Sequence, residues 1–361
     1  RERIESSLDE TLFVEAGAGT GKTEALVGRI LALITTGRAT INGIAAITFT
    51  ELAAAELRER VRTRLLSLID DPGCPEIEKN RCHLAIRVFD SATIQTLHSF
   101  AGQILRERPL DIGLPPSFEV VEAIEASLNF QERWETWLDE TLKAEDSSPA
   151  FSTAIALGLR IDQLRGVAAS FHERYDLIAQ PFPELPVSGR KTASAIIEAR
   201  GEIETLLPLA HLEDDPLVLH AKQVVAFAGR LERIDPNTDM ALGTLSRSGR
   251  LSFARGRIRD WDEDPESGVN GCTALKDLLA DLETLRSNEL DSYRTAIVCQ
   301  LLENVRQLAI EYAEERLKSG KIEFQDLLVL ARNLLRDKPM ARSYFQNRVS
   351  HILIDEFQDT D

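Results

Sequence analysis

Lys22, Thr23, Asp355 and Glu356, at opposite ends of the sequence, are the side-chain types that handle phosphate, a divalent cation and an attacking water. Lys22 and Thr23 close the run Ala16-Gly17-Ala18-Gly19-Thr20-Gly21-Lys22-Thr23. A phosphate-binding loop needs Gly, four residues, Gly-Lys, then Ser or Thr. This run has Ala16 in the first place and meets the rest. The chemistry survives, because Gly17, Gly19 and Gly21 can turn successive N–H groups inward with no side chain in the way. A helix starting at Lys22 adds its dipole and unpaired N–H groups. Lys22 would then reach the β- and γ-phosphates of a nucleotide, and the Thr23 hydroxyl would ligate Mg2+. Asp355 and Glu356 follow the apolar run Ile352-Leu353-Ile354. There Asp355 can hold Mg2+, directly or through water, and Glu356 can orient and deprotonate the attacking water. Each feature has a blander reading, a turn joining strand to helix or an exposed acidic loop. Their presence in one chain favours the chemical one.

Positioning these groups takes an open α/β sheet, whose ligands bind at the carboxyl ends of the strands. Leu12-Phe13-Val14-Glu15 reads as a short apolar strand entering the loop. Leu26, Val27, Ile30, Leu31 and Ile34 then form a helical stripe, with Gly37 where a helix C-cap would sit. Ile352–Ile354 reads as a buried parallel strand. Ile44 to Phe49 is a second such strand, and Thr50 caps a helix with Ala53, Ala54, Leu57, Val61, Leu65 and Leu68 inside. The other face, with Arg58, Arg60, Arg62 and Arg64 among Glu56 and Glu59, reads as mostly solvated. Thr48-Phe49-Thr50 joins hydroxyls to an aromatic at a strand's carboxyl end, a set suited to a phosphate backbone and a stacked base. A third strand is expected at Ile86-Arg87-Val88-Phe89. After it comes Thr96-Leu97-His98-Ser99-Phe100, then a helix to about Arg108 with Leu97, Phe100 and Ile104 on its core face. His98 alone reads as a hydrogen-bonded structural residue. Near the far end, Val305, Leu308, Ala309 and Tyr312 share a helical face ended by Gly320, and Ile322 to Leu335 form a second helix.

Composition narrows the field less. The 361 residues include 42 basic and 59 acidic side chains, a net charge of −17. Such a chain is no general nucleic-acid coat, so any grip on DNA must be local. Cys74, Cys82, Cys272 and Cys299 form no Cys-x-x-Cys pair, which disfavours zinc and disulfide frameworks and fits a reducing compartment. Cys82-His83 reads as packing. No apolar run reaches the ~18 residues of a membrane span, and no signal peptide opens the chain. The first residue is not Met and the last follows Thr360 directly, which reads as a piece of something longer.

The middle of the chain carries helical patterns, such as Leu128, Trp134, Trp137 and Leu138, and no catalytic signature. Its turn-rich punctuation lies at Leu114-Pro115-Pro116, Gln180-Pro181-Phe182-Pro183 and Asp262-Glu263-Asp264-Pro265. Within it, Arg247, Arg250, Arg255, Arg257 and Arg259 are interleaved with Phe253 and Trp261. That suits backbone binding, but Asp260, Asp262, Glu263 and Asp264 follow at once, and a self-paired surface segment is the favoured reading.

Together these stretches resemble the UvrD/Rep group of superfamily 1 DNA helicases. The loop 16–23 is similar to their motif I, Thr48 to Arg58 to motif Ia, Thr96–Phe100 to the Thr-x-His-Ser-Phe element, and Asp355–Asp361 to motif II. Phe324-Gln325-Asp326-Leu327-Leu328 matches the helix that enters motif II. Thr-Phe-Thr-Glu and Asp-Glu-Phe-Gln-Asp-Thr-Asp lean towards exonuclease V beta-type, RecB/AddA-like, subunits. Glu51-Leu52 and Glu24 depart from the commoner UvrD form, and no Gln precedes Val14 to read adenine.

The resemblance implies a RecA-like P-loop NTPase core with a parallel sheet over 1–120 and 296–361, interrupted by an all-helical insertion domain over 121–295. It implies ATP and Mg2+ as cofactors, with Ala16, Gly17, Ala18, Gly19, Thr20, Gly21, Lys22 and Thr23 on the nucleotide and Thr23 and Asp355 on the metal. Lys22, Glu356 and Gln358 would be catalytic, Gln358 as γ-phosphate sensor. Thr48, Phe49, Thr50, His98, Ser99 and Phe100 would contact DNA. The implied activity is ATP-driven 3′→5′ movement on single-stranded DNA in double-strand-break processing, in the bacterial cytoplasm at the nucleoid. Its partners would be single-stranded DNA, duplex ends, the C-terminal remainder of the polypeptide and other subunits of a helicase–nuclease complex, with no membrane. Alone, the fragment would hydrolyse ATP poorly, because the facing domain supplies the arginines. Two rivals are a P-loop motor that does not act on DNA and a non-catalytic scaffold within such a complex.

Overall fold

The computed structural model describes residues 2–15, 21–144, 151, 153–155, 159–185, 191–236 and 238–357. Two compact units divide the chain: Arg1–Leu128 with Glu314–Asp361, and Asn129–Ala313. In chain order the first contains α1 (Glu2–Ser6), α2 (Lys22–Thr35), β1 (Ile44–Thr48), α3 (Glu51–Asp70), α4 (Glu76–Arg87), β2 (Thr93–Thr96), α5 (Leu97–Glu107) and β3 (Glu119–Val120). Helix α6 (Ala123–Lys143) leads out of it. The second unit holds α7 (Ile161–Glu173), α8 (Lys191–Leu206), α9 (Pro216–Leu231), α10 (Asp239–Arg247) and most of α11 (Gly271–Ser319). The first unit resumes with β4 (Lys321–Ile322), α12 (Phe324–Asp337), α13 (Pro339–Arg348) and β5 (His351–Ile354).

A three-stranded parallel sheet, in the order β2-β1-β5, organises the first unit. Ala45 of β1 lies opposite Thr93 on one side and Ile352 on the other. All five residues of β1 are buried, as a central parallel strand demands. Helices α2, α3 and α4 close one core over it, including Val27, Ile30, Leu57, Val61 and Cys82. Gly37, at φ 76°, stops α2, and the Thr50 hydroxyl accepts from the Ala53 N–H to start α3. A second core joins α5, α12 and α13 through Ile104, Leu105, Leu327, Leu334 and Phe345.

Four sequence expectations are corrected here. The third strand is Thr93–Thr96, because Cys82, Ala85 and Phe89 are buried at helical spacing and residues 76–87 form α4. Residues 11–15 form no strand; Phe13 and Val14 are exposed, and with no apolar cover on a face a strand gains little. In β5 only Leu353 is buried, so the strand is an edge among the described residues instead of a fully buried one. Ile322 pairs in a short parallel ladder with Val120, the helix starts at Phe324, and α13 intervenes before the last strand.

The second unit is helical, with only isolated bridges such as Ala210 to Trp261 among its described residues. One core runs through it, built from residues such as Trp134, Ile196, Ile203, Ala221 and Leu279. The units part at 128/129 and 313/314, inside α6 and α11, so no turn marks either break. The arginine-rich stretch turns its aromatics inward. Trp261 is buried with its Nε1–H donating to Asp215 at 3.3 Å, and Phe253 stacks on His220 at 4.5 Å. Arg250 donates to Ser252 and Arg259 lies against Asp260.

Candidate functional site

Helix α2 begins directly after Gly21, whose left-handed backbone (φ 86°, ψ 34°) aims its first turn. The carbonyl of Gly21 already accepts from the Ala25 N–H, so the earlier N–H groups of that turn have no intrahelical partner and suit an anion. Lys22 projects from this turn, and its Nζ lies 3.2 Å from each carboxylate oxygen of Glu356, 334 residues away.

Glu356 gets there by a bend at the end of β5. The Asp355 N–H still donates to the Ile47 carbonyl at 2.8 Å, prolonging the β1 ladder by one residue. Glu356 then takes φ 54°, the sole left-handed non-glycine among the described residues, a conformation costing about 1–2 kcal/mol. Its N–H donates to Asp355 Oδ1 at 3.1 Å. Because the Lys22 and Glu356 side chains are 30% and 39% exposed, their pair is worth ~1 kcal/mol at most. Phosphate groups could displace it. Thr23 is half-buried in the same turn and Asp355 half-buried at the strand end. A hydroxyl and a carboxylate are the hard oxygen donors Mg2+ takes, so the donor types fit that ion. Ala16 to Thr20 and Gln358 lie outside the described residues.

A second group of candidates lies at the carboxyl ends of β1 and β2, where Thr48 and Thr96 are register partners. Glu51 fastens the two ends: its Oε1 lies 2.8 Å from the Thr96 hydroxyl and 2.9 Å from that of Ser99. Thr48 is buried, and its hydroxyl donates to the Thr50 carbonyl. Phe49, by contrast, is 60% exposed. The His98 ring stacks on Phe324 with centroids 3.8 Å apart and planes 16° apart. Burial pushes the His98 pKa below its usual value, which favours the neutral ring. Phe100 is half-buried against the α5–α12 core, a packing position. Thus Phe49, Thr50, His98 and Ser99 reach the surface here, and Thr48 and Phe100 support them.

Several residues of this framework escaped the sequence reading. Glu51 was read only as a departure from the commoner UvrD form, with no partner assigned to it. Arg58, counted with a solvated face, donates to the Ala92 and Ile94 carbonyls and so holds β2. Arg316 and Asp326 are both buried and joined by two 2.9 Å bonds; Asp326 also accepts from the Glu323 N–H at 2.8 Å. The Asp at the third helical position of α12 was a visible capping signal; its arginine partner ten residues earlier was not. Cys82 is buried, which raises its thiol pKa, and among the described residues no group of three His, Cys, Asp or Glu side chains could hold a metal. No described helix is long and apolar enough to cross a membrane.

The chain is similar to an ATP-dependent helicase/nuclease subunit of Syntrophomonas wolfei, 26% identical over 401 residues, covering 100% of this chain and 31% of that protein. The same-named protein of Pediococcus pentosaceus is 24% identical over 393 residues, covering 98% of the chain and 32% of the relative. That of Listeria welshimeri is 26% identical over 395 residues, covering 97% and 31%. The chain therefore spans about a third of the length of these relatives. The family model described as the UvrD/REP helicase N-terminal domain matches residues 1–361, and the chain belongs to that family.

Proposed function

We propose that this chain is the ATP-binding portion of a DNA helicase that moves 3′→5′ on single-stranded DNA and processes double-strand breaks. The observation that carries the reading is the meeting of Lys22 with Glu356 at the carboxyl end of a parallel sheet. A P-loop lysine beside a strand-end carboxylate is the arrangement phosphoryl transfer to water requires. In this reading the unit 1–128 with 314–361 is a RecA-like core, and 129–313 is a helical insertion. The relatives' names pair helicase with nuclease, and we extend to this chain a role in such a complex, with other subunits as partners.

Each residue then has a task. The N–H groups of residues 16–23 and the Lys22 ammonium bind the β- and γ-phosphates of ATP. Thr23 and Asp355 would hold Mg2+, which when bound offsets the charge developing on the transferred phosphate. Glu356, released from Lys22 by the phosphates, orients the attacking water and takes its proton. Gln358 senses the γ-phosphate. Phe49, Thr50, His98 and Ser99 contact the DNA strand. Efficient turnover needs a further positive charge, worth about 10³–10⁵ in rate, from outside residues 1–361.

The test is the ATPase rate of the full-length protein with and without single-stranded DNA, beside Lys22→Ala and Glu356→Gln. Stimulation by DNA, lost in both variants, is the expected result. Hydrolysis indifferent to DNA would favour a motor acting on something else. Nucleotide binding without hydrolysis would favour a scaffold.

A further inference from the structure

Where α12 joins α13, the charge of the chain is reversed. Residues 331–351 hold five basic side chains, Arg332, Arg336, Lys338, Arg342 and Arg348, against the single carboxylate of Asp337, in a protein of net charge −17. Asp337 bonds to Arg336 at 2.8 and 2.9 Å, and Arg348 pairs with Glu107 of α5. Arg342 donates instead to the Leu335 and Arg336 carbonyls at the end of α12. Those neutral oxygens satisfy its N–H groups without cancelling its charge. A helix C-terminus favours a nearby cation, and Arg342 meets that need by itself. Lys338, between the two helices, is exposed.

Two apolar side chains stand in this basic field. Ala341 and Phe345 form the buried stripe of α13. Met340 and Tyr344, also one turn apart, form a second stripe that is 80% and 42% exposed. Tyr344 is held in place, its hydroxyl donating to Glu107 at 3.2 Å and the Arg108 guanidinium 5.7 Å from its ring centre. An aromatic already fixed at the surface loses little freedom when a partner covers it, and methionine adapts its shape to what it meets. Tyrosine, methionine and arginine are the types enriched in protein–protein interfaces.

The place of this face narrows what fits it. Helix α13 runs into the amino end of β5, whereas Asp355 and Glu356 stand beyond its carboxyl end. A partner seated on α13 therefore leaves the nucleotide candidates open. A phosphate backbone would be drawn to the charge, but nothing in it covers Met340. We propose that the exposed face of α13, with the end of α12, docks an acidic segment of another subunit, one whose carboxylates flank an apolar side chain. The inference rests on the reading of the chain as part of a helicase–nuclease complex and names the surface which that complex uses.

The experiment places p-benzoylphenylalanine at position 340 of the full-length protein, irradiates cells of its own host and identifies the cross-linked peptide by mass spectrometry. The expected product joins position 340 to an acid-rich stretch of a different polypeptide. Affinity of the full-length protein for that purified subunit is then measured by surface plasmon resonance. Lys338→Glu combined with Met340→Asp should weaken it by at least about 30-fold, the loss of an interface anchor. Lys338→Arg should keep it, and both variants should keep wild-type ATPase activity. Acids at the start of α13 favour the helix; if the double variant still does not fold, the cross-link decides. A cross-link to DNA, to a second copy or to the same polypeptide would overturn the surface, as would a complex indifferent to the double variant. The complex reading survives those results wherever another subunit still binds. Full-length protein that binds no other polypeptide would overturn both.

Discussion

Asp326→Asn should be among the most damaging single changes outside the proposed nucleotide site. Asp326 and Arg316 are 3% and 5% exposed, and two bonds of 2.9 Å join them. Replacing the carboxylate with an amide leaves the guanidinium charge buried, with the Glu323 carboxylate 3.8 Å away as a remaining partner. Breaking a buried pair by removing one side costs about 3–5 kcal/mol. Glu323 holds the loss to the lower half of that range, and the weakened α12 cap adds ~1 kcal/mol. In a domain of this size each kcal/mol moves the melting temperature by about 2–4 °C. The first transition in a calorimetric scan should therefore fall by about 8–20 °C. Replacing both partners by apolar residues, Arg316→Met with Asp326→Leu, should cost less than Asp326→Asn alone, since no charge is stranded. An Asp326→Asn protein melting within about 2 °C of wild type would refute the reasoning, as would a double variant worse than the single one.

Other outcomes follow from the same geometry. Glu356→Gly should relieve left-handed strain, raising stability by up to about 1 kcal/mol in a melt relative to Glu356→Ala, which loses the same Lys22 pair, while abolishing the proposed hydrolysis; a glycine variant melting below the alanine one would show that the backbone is unstrained. Gly37→Ala should cost about 1–2 kcal/mol, because φ is 76° and a Cβ would lie 2.7 Å from the Arg81 guanidinium carbon; urea titration measures it. Glu303 is held down to a pKa of about 2, chiefly by its bonds to Arg306, with the Phe182 N–H assisting. A depressed carboxyl stabilises the fold above its unfolded pKa and stops doing so as pH falls through the folded value. The stability gap between wild type and Glu303→Gln, on the order of 2 kcal/mol at pH 7 for this mostly buried group, should close between about pH 5 and 2 in melts against pH.

The parts legible in the sequence were those with local signatures. Gly37 and Gly320 end their helices where the apolar stripes stop, both with positive φ, and Thr50 caps α3 through its own hydroxyl. The run Ile44–Thr48 is a buried strand because nothing in it is polar until its end. Short apolar stretches misled: Ile86 to Phe89 has strand-like composition, but Cys82, Ala85 and Phe89 place it on a helical face and then a tight turn. Lys22 and Glu356 could be named separately, whereas their contact across 334 residues depends on the whole sheet. Arg58, Glu51 and Arg316 were illegible for one reason: a charged side chain on a helix looks solvated until its tertiary partner is known.

The order in which the sheet's strands are made has a consequence for biosynthesis. β1 finds β2 soon after it in the chain, Ala45 against Thr93, but must wait for β5, about 307 residues on by the Gly43–Ser350 separation. At a synthesis rate of about 5–20 residues per second, that is on the order of 15–60 s during which the edge of β1 that β5 will cover stays open on the ribosome. Non-local pairing of this kind is also slow in its own right. The nascent chain therefore has no Lys22–Glu356 site for ATP to stabilise until the helical unit has been made. Folding of the first unit is gated by translation of the second, and the newborn strand edge is where a chaperone would have most to do.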